Sequence, residues 1–224
     1  MGNNKIYGEM SLDAGWRYGF RSDHKPTRDD VTMIDVDWQK PDIGKHLVAI
    51  QRHKPWVAVL PDILDKEDWD MRINLAYEMR REGARNVMVV PKVSPWRIPN
   101  EDWIILGYPV GRGETSVCPY LTHEWGGPIH LLGGTVAGQL RAMMHFASGS
   151  VVSADMNAHT KAARFGRSYN RLGRVVIHQG APNGMSTINF VNDLIDQSFK
   201  NIRHCWETKA MPVNPRFWGI LDES

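Results

Sequence analysis

Two prolines bracket five apolar residues, Trp56-Val57-Ala58-Val59-Leu60, and this run constrains the fold more than any other stretch of the chain. A strand with no polar residue on either side of its pleat needs cover on both faces. Such strands belong to parallel sheets flanked by helices. The run stops at Pro61-Asp62, so a carboxylate stands just beyond its C-terminal end.

Other segments repeat the pattern. Lys5 to Leu12, Val31 to Asp37, Asn86 to Val90, Trp103 to Leu106, Ile129 to Leu132, Val151 to Ser153 and Arg174 to His178 read as short strands. Between them lie helical patterns. Pro41 to Arg52 carries Ile43, Leu47 and Ile50 at helical spacing, and Asp65 to Glu82 places Trp69, Ile73, Ala76 and Tyr77 on one face. In the second, Asp65 is suited to cap the start and Gly83 to close the end. A third helix is expected from Thr135 to Phe146, and an amphipathic one from Met185 to His204.

Eight strands is the number that closes a (β/α) barrel. The expected fold is therefore α/β, a compact (β/α)8 TIM-like barrel with a C-terminal helix packed outside. One domain is expected over 1–224, with the barrel at about 4–180 and the helix and tail at 181–224. An open doubly wound sheet is the alternative, but neither G-x-G-x-x-G nor G-x-x-x-x-G-K-[ST] occurs to support nucleotide binding of that kind.

With 27 basic and 25 acidic residues the net charge is +2, so any attraction for a polyanion must come from local clustering. One cluster stands out. From Met156 to Asn192 there is no Asp or Glu, while Lys161, Arg164, Arg167, Arg171 and Arg174 fall close together. Two distant cysteines, Cys118 and Cys205, suit neither a disulfide framework nor a cysteine-rich zinc site, and a reducing cytoplasm is the expected setting. The N-terminal residues lack an apolar signal core, and no run reaches membrane-span length. His123, Glu124 and His130 do not follow a recognised metal-ligand spacing.

Asp13, Asp62 and Asp155 each follow an expected strand. In a barrel those strand ends share one mouth. Paired carboxylates suit attack at a sugar C1 position, one forming a covalent glycosyl intermediate while another moves protons. A third can accept hydrogen bonds from a base edge.

Several segments, in shared order across residues 8 to 165, resemble the tRNA-guanine transglycosylase superfamily, especially its phage and bacterial branch of 7-deazaguanine DNA transglycosylases. Leu12-Asp13-Ala14-Gly15-Trp16 is similar to the family's D-S-G-G-[YF] turn. Met33-Ile34-Asp35 through Val57-Ala58-Val59-Leu60-Pro61-Asp62 resembles its passage from an I-D-G segment to an acidic base-reading residue. Gly107-Tyr108-Pro109-Val110-Gly111 is similar to its G-L-A-V-G loop, and His130-Leu131-Leu132-Gly133-Gly134 to its [HY]-L-[ML]-G-[VI]-G strand.

The resemblance implies a pentosyltransferase that exchanges guanine in DNA for a free 7-deazaguanine such as preQ0, with no cofactor. Asp155 would be the nucleophile and Asp13 the proton donor. Asp62, Gly107, Tyr108, Gly111 and Gly133 would bind the base, and Lys161, Arg164, Arg167 and Arg171 the nucleic acid. The C-x-C-x-x-C…H zinc motif of the tRNA enzymes is missing from this sequence, which favours DNA over tRNA as the partner. A tRNA-acting enzyme, a non-catalytic nucleic-acid-binding barrel and a carbohydrate hydrolase remain as alternatives. A homodimer is compatible with each. No membrane partner is expected, and the setting becomes the host cytoplasm if the chain is phage-encoded.

Overall fold

The structure, a computed structural model, describes residues 17–37, 39–93, 98–110, 125–146, 150–155, 162–172, 174–182 and 184–209. Seven strands are hydrogen-bonded in chain order: β1 (Gly19–Arg21), β2 (Met33–Asp35), β3 (Val57–Val59), β4 (Asn86–Val89), β5 (Ile104–Pro109), β6 (Ile129–Leu132) and β7 (Val151–Ala154). The pairings from β1 through β5 are parallel. The chain divides within β6 into two compact units, one of Arg17–His130 and one resuming at Leu131.

The Arg17–His130 unit has the expected α/β character. Helix α1 (Ile43–His53) connects β2 to β3, and helix α2 (Trp69–Glu82) connects β3 to β4. Asp42 starts α1 by accepting a hydrogen bond from the Lys45 N–H at 3.1 Å. The apolar run is buried on both faces, with Ala58 and Leu60 wholly enclosed. Ile34, Ile50, Trp69, Met79, Val87 and Ile104 pack with them in one core. Burying each such side chain contributes about 1.5–3 kcal/mol, enough to hold strands as short as three residues in register.

α2 starts differently from the sequence expectation. Asp65 precedes a single 3₁₀ turn, Lys66–Asp68, and its side chain caps nothing; the α-helix proper begins at Trp69. The Trp69 indole is buried at the head of the helix, and a single 3₁₀ turn is a common entry to an α-helix. Gly83 closes α2 as expected, at φ +118°, with the left-handed backbone that glycine adopts at least cost.

The unit resuming at Leu131 holds β7, helix α3 (Val136–Met143), strands β8 (Arg167–Tyr169) and β9 (Val175–Ile177), and the long helix α4 (Thr187–Lys209). α4 packs on β8 and α3, burying Phe190, Leu194, Ile195 and Phe199 around Ala163 and setting Ile202 and Cys205 against Val136 and Tyr169.

The sheet is not the closed eight-stranded barrel expected from the sequence. Among the described residues the strand order is linear, running from β1 to β7. The segment read as an eighth barrel strand, Arg174 to His178, instead holds β9, which pairs antiparallel with β8 in a separate two-stranded ribbon. Only five residues, 170–174, join the two strands. A parallel crossover needs a dozen or more, so the chain turns back on itself. The expected first strand, Lys5 to Leu12, lies outside the described residues. Among the described residues the first strand of the sheet is β1, where Gly19 packs so close to Met33 that an added Cβ would lie 3.1 Å from the Met33 Cβ.

Candidate functional site

Asp155 is the first residue past β7. Its main-chain N–H donates to the Leu131 carbonyl at 3.1 Å, which continues the pairing with β6 by one residue. Its carboxylate Oδ1 accepts a hydrogen bond of 2.7 Å from the N–H of Gly133, the first residue past β6. A charge-assisted bond this short fixes the carboxylate against the main chain. Gly133 donates it from φ +60°, and an added Cβ there would meet nothing within 4 Å, so backbone conformation and not space favours glycine.

Gln139 locks the same corner from behind. It lies on α3, which starts where Thr135 accepts from the Gly138 N–H at 3.1 Å. The wholly buried Gln139 amide donates to both the Gly133 and Asp155 carbonyls, each at 2.8 Å. Its Oε1 is buried without a hydrogen bond among the described residues, at a cost of about 1–3 kcal/mol. Sequence reading missed Gln139. The available signal was one amide among the apolar positions Val136, Leu140 and Met143.

Within the Arg17–His130 unit, a second charged group sits at the ends of β3 and β4. An isolated parallel bridge between Ile63 and Pro91 carries the two chains past their strands together. It sets the Lys92 ammonium 3.6 Å from the Asp62 carboxylate, with both side chains less than one-fifth exposed. Burial pushes the Asp62 carboxyl above its ordinary range, opposed by the charges of Lys92 and Arg72. Lys92 is a residue to which the sequence reading assigned no role.

The ends of β1 and β2 are also charged. Arg21 donates to Asp37 at 3.0 Å and pairs with Asp23, whose carboxyl is held down at about 2 by the bond from Arg21. Asp35 accepts from its neighbour Val36 N–H at 2.8 Å. Below them His46 is completely buried on α1, with Nδ1 3.1 Å from the Ser22 hydroxyl. Its Nε2 makes no well-aligned hydrogen bond among the described residues. Desolvation drives the imidazole down to about 4, the main chain of Val59 acting the other way.

Of the residues expected at the site, Asp155 and Gly133 are brought into direct contact, with Gly133 bound to the carboxylate itself. Asp62 sits at its strand end as expected and pairs with Lys92. Gly107 and Tyr108 lie inside β5 rather than in a loop after it, and both are buried. Arg164, Arg167, Arg171 and Arg174 are exposed. Asp13, Trp16, Gly111 and Lys161 lie outside the described residues, as do His123 and Glu124. Among the described residues no group of His, Cys, Asp or Glu side chains could hold a metal ion, and no helix is long and apolar enough to cross a membrane.

Fold and site together define an α/β protein whose parallel strands carry acidic and basic side chains at their C-terminal ends, where ligands of such sheets bind. The chain belongs to a family of unknown function, DUF6610, whose model matches residues 11–207. No curated protein matches it.

Proposed function

We propose that the protein is a base-exchange glycosyltransferase that replaces guanine in DNA by a 7-deazaguanine through a covalent Asp155–glycosyl intermediate. The observation that carries this reading is the Asp155 carboxylate, pinned by the Gly133 N–H at the end of β7 and standing at the head of a segment without acids. In the first step a carboxylate oxygen bonds to C1′ as the C1′–N9 bond breaks. The bonding pair goes to N9, and Asp13 supplies the proton. In the second step N9 of the incoming base attacks C1′ and loses its proton to the Asp13 carboxylate, while the C1′–O bond breaks and its electron pair returns to Asp155.

One N-glycosidic bond is traded for another, so the exchange is near isoenergetic and needs no cofactor. Asp62 must be ionised to accept hydrogen bonds from ring N–H and amino groups, and Lys92 beside it opposes the effect of burial on that carboxyl. The family resemblance assigns Gly107, Tyr108 and Gly111 to the base as well. Lys161, Arg164, Arg167 and Arg171 hold phosphates flanking the everted nucleotide.

The test is incubation with guanine-containing DNA and labelled 7-deazaguanine. Label should enter DNA, and Asp155→Asn should lower incorporation by at least about a thousandfold, the scale expected for loss of a covalent nucleophile. Label in tRNA and not DNA would support the RNA-acting alternative. Label in neither would sink the enzyme reading and leave a binding protein.

A further inference from the structure

The β8–β9 ribbon has two edges in opposite conditions. Its antiparallel register pairs Ser168 with Val176, and the Asn170 N–H donates to Arg174 while the His178 N–H donates to Gly166. Alternation along such a ladder turns the main-chain groups of Tyr169 away from β9, and those of Val175 and Ile177 away from β8. On the β8 side the helix takes them up. The Tyr169 N–H donates to the Ser198 hydroxyl at 3.1 Å, and its carbonyl accepts from the Asn201 amide at 2.7 Å.

On the β9 side no strand or side chain among the described residues does the same. This edge is also apolar. Val175, Val176 and Ile177 are 49, 36 and 71 % exposed, where edge strands ordinarily carry charge, proline or a bulge to prevent further pairing.

We propose that the β9 edge is a docking site for an extended, acidic segment of a partner protein, which adds to the ribbon as a third strand. A peptide strand matches the alternating donors and acceptors of Val175 and Ile177 and covers their β-branched side chains. A phosphate backbone can accept from the N–H groups but offers nothing to the outward carbonyls. Charge selects the kind of peptide. Arg174 precedes the edge, Arg167 stands across from Ile177, and Arg164 and Arg171 lie to either side in sequence, all exposed and none ion-paired among the described residues. A second copy of β9 would bring the same cations against these, whereas carboxylates along a partner strand would neutralise them.

This inference does not depend on base exchange. It adds a consequence to it, because peptide and DNA would use the same arginines and exclude one another.

A random decapeptide library selected on the full chain provides the probe. Selected peptides should be rich in Asp, Glu and β-branched residues. Saturating them should slow amide exchange at Val175 and Ile177 about tenfold or more, and methylating alternate peptide nitrogens should weaken binding at least about tenfold. Arg167→Gln and Arg174→Gln should each weaken it and flatten its salt dependence. Ile177→Pro removes an N–H that does not serve β8, so it should abolish binding with the melting temperature kept. If that variant unfolds the ribbon, the methylated peptides decide alone.

Failure to select any peptide, selection of basic peptides, or protection of other amides overturns the proposal. So does a chain that sediments as a dimer with Val175 and Ile177 already protected, which makes a second copy the occupant. Protection of those amides by a DNA oligonucleotide and not by peptides makes nucleic acid the occupant.

Discussion

His46 couples the stability of the Arg17–His130 unit to pH. Its imidazole is neutral in the fold down to about pH 4, while in the unfolded chain it takes up a proton near its ordinary 6.5. The unfolded state therefore binds more protons between those values. The stabilisation is complete above pH 6.5, declines as pH falls, and is exhausted at about pH 4. The gap corresponds to about 3 kcal/mol. Urea titrations across that range should show the decline, and His46→Leu should flatten it. Asp62 and Lys92 make a second prediction at this scale. Lys92→Met leaves a mostly buried carboxylate without its cation and should cost roughly 3 kcal/mol at pH 7. Because the Asp62 carboxyl is already raised, that cost should shrink on acidification as the group protonates. A cost that stays constant with pH would assign the loss to packing of the lysine stem instead.

Among the elements, the α1 and α2 ends depend on one another through Lys54 and Gly83. Lys54 caps α1 in a left-handed conformation at φ +46°, and its ammonium donates to the Glu82 carbonyl at 2.8 Å. Its side chain passes over Gly83, where an added Cβ would stand 2.3 Å from the Lys54 Cδ. Gly83→Ala meets both this crowding and a backbone angle that alanine resists. It should lower stability by about 1–2 kcal/mol in denaturant unfolding. Pairing it with Lys54→Ala should recover the steric part and leave the backbone part.

Elements with strong local signals were legible from sequence: the Val57–Leu60 run, the Gly83 stop and the α1 periodicity all stand where expected. β1 was not, because Gly19-Phe20-Arg21 has no strand alternation and is held by Met33. β8 was hidden inside the cationic stretch, where Arg167-Ser168-Tyr169 reads as surface until Ser198 and Asn201 of α4 take its edge. The candidate site divides in the same way. Asp155 and Asp62 could be read as carboxylates following apolar runs. Lys92 beside Asp62 depends on the Ile63–Pro91 bridge, and Gly133 on Asp155 depends on two strand ends lying side by side, both properties of tertiary register.

At the scale of the whole molecule, the strands differ in how deeply they are enclosed. Val87, Met88 and Val89 of β4 and Ile104 and Ile105 of β5 have no exposed surface, whereas β9 is exposed along its full length. Native-state amide exchange should therefore be slowest in β4 and β5 and fastest at the outward amides of Val175 and Ile177. The parallel α/β architecture followed from composition of the strands. The ring closure expected from counting eight strands did not, since a count carries no information on which strands pair, and a five-residue connection forced the last one into a ribbon. The proposed base exchange rests on Asp155. The direct measurement is mass spectrometry of the denatured full chain after incubation with a guanine-containing oligonucleotide and no incoming base. A protein–DNA adduct attached at Asp155, released guanine in equal amount, and loss of both in Asp155→Asn are the expected results. No adduct, or one that persists in Asp155→Asn, would contradict the account.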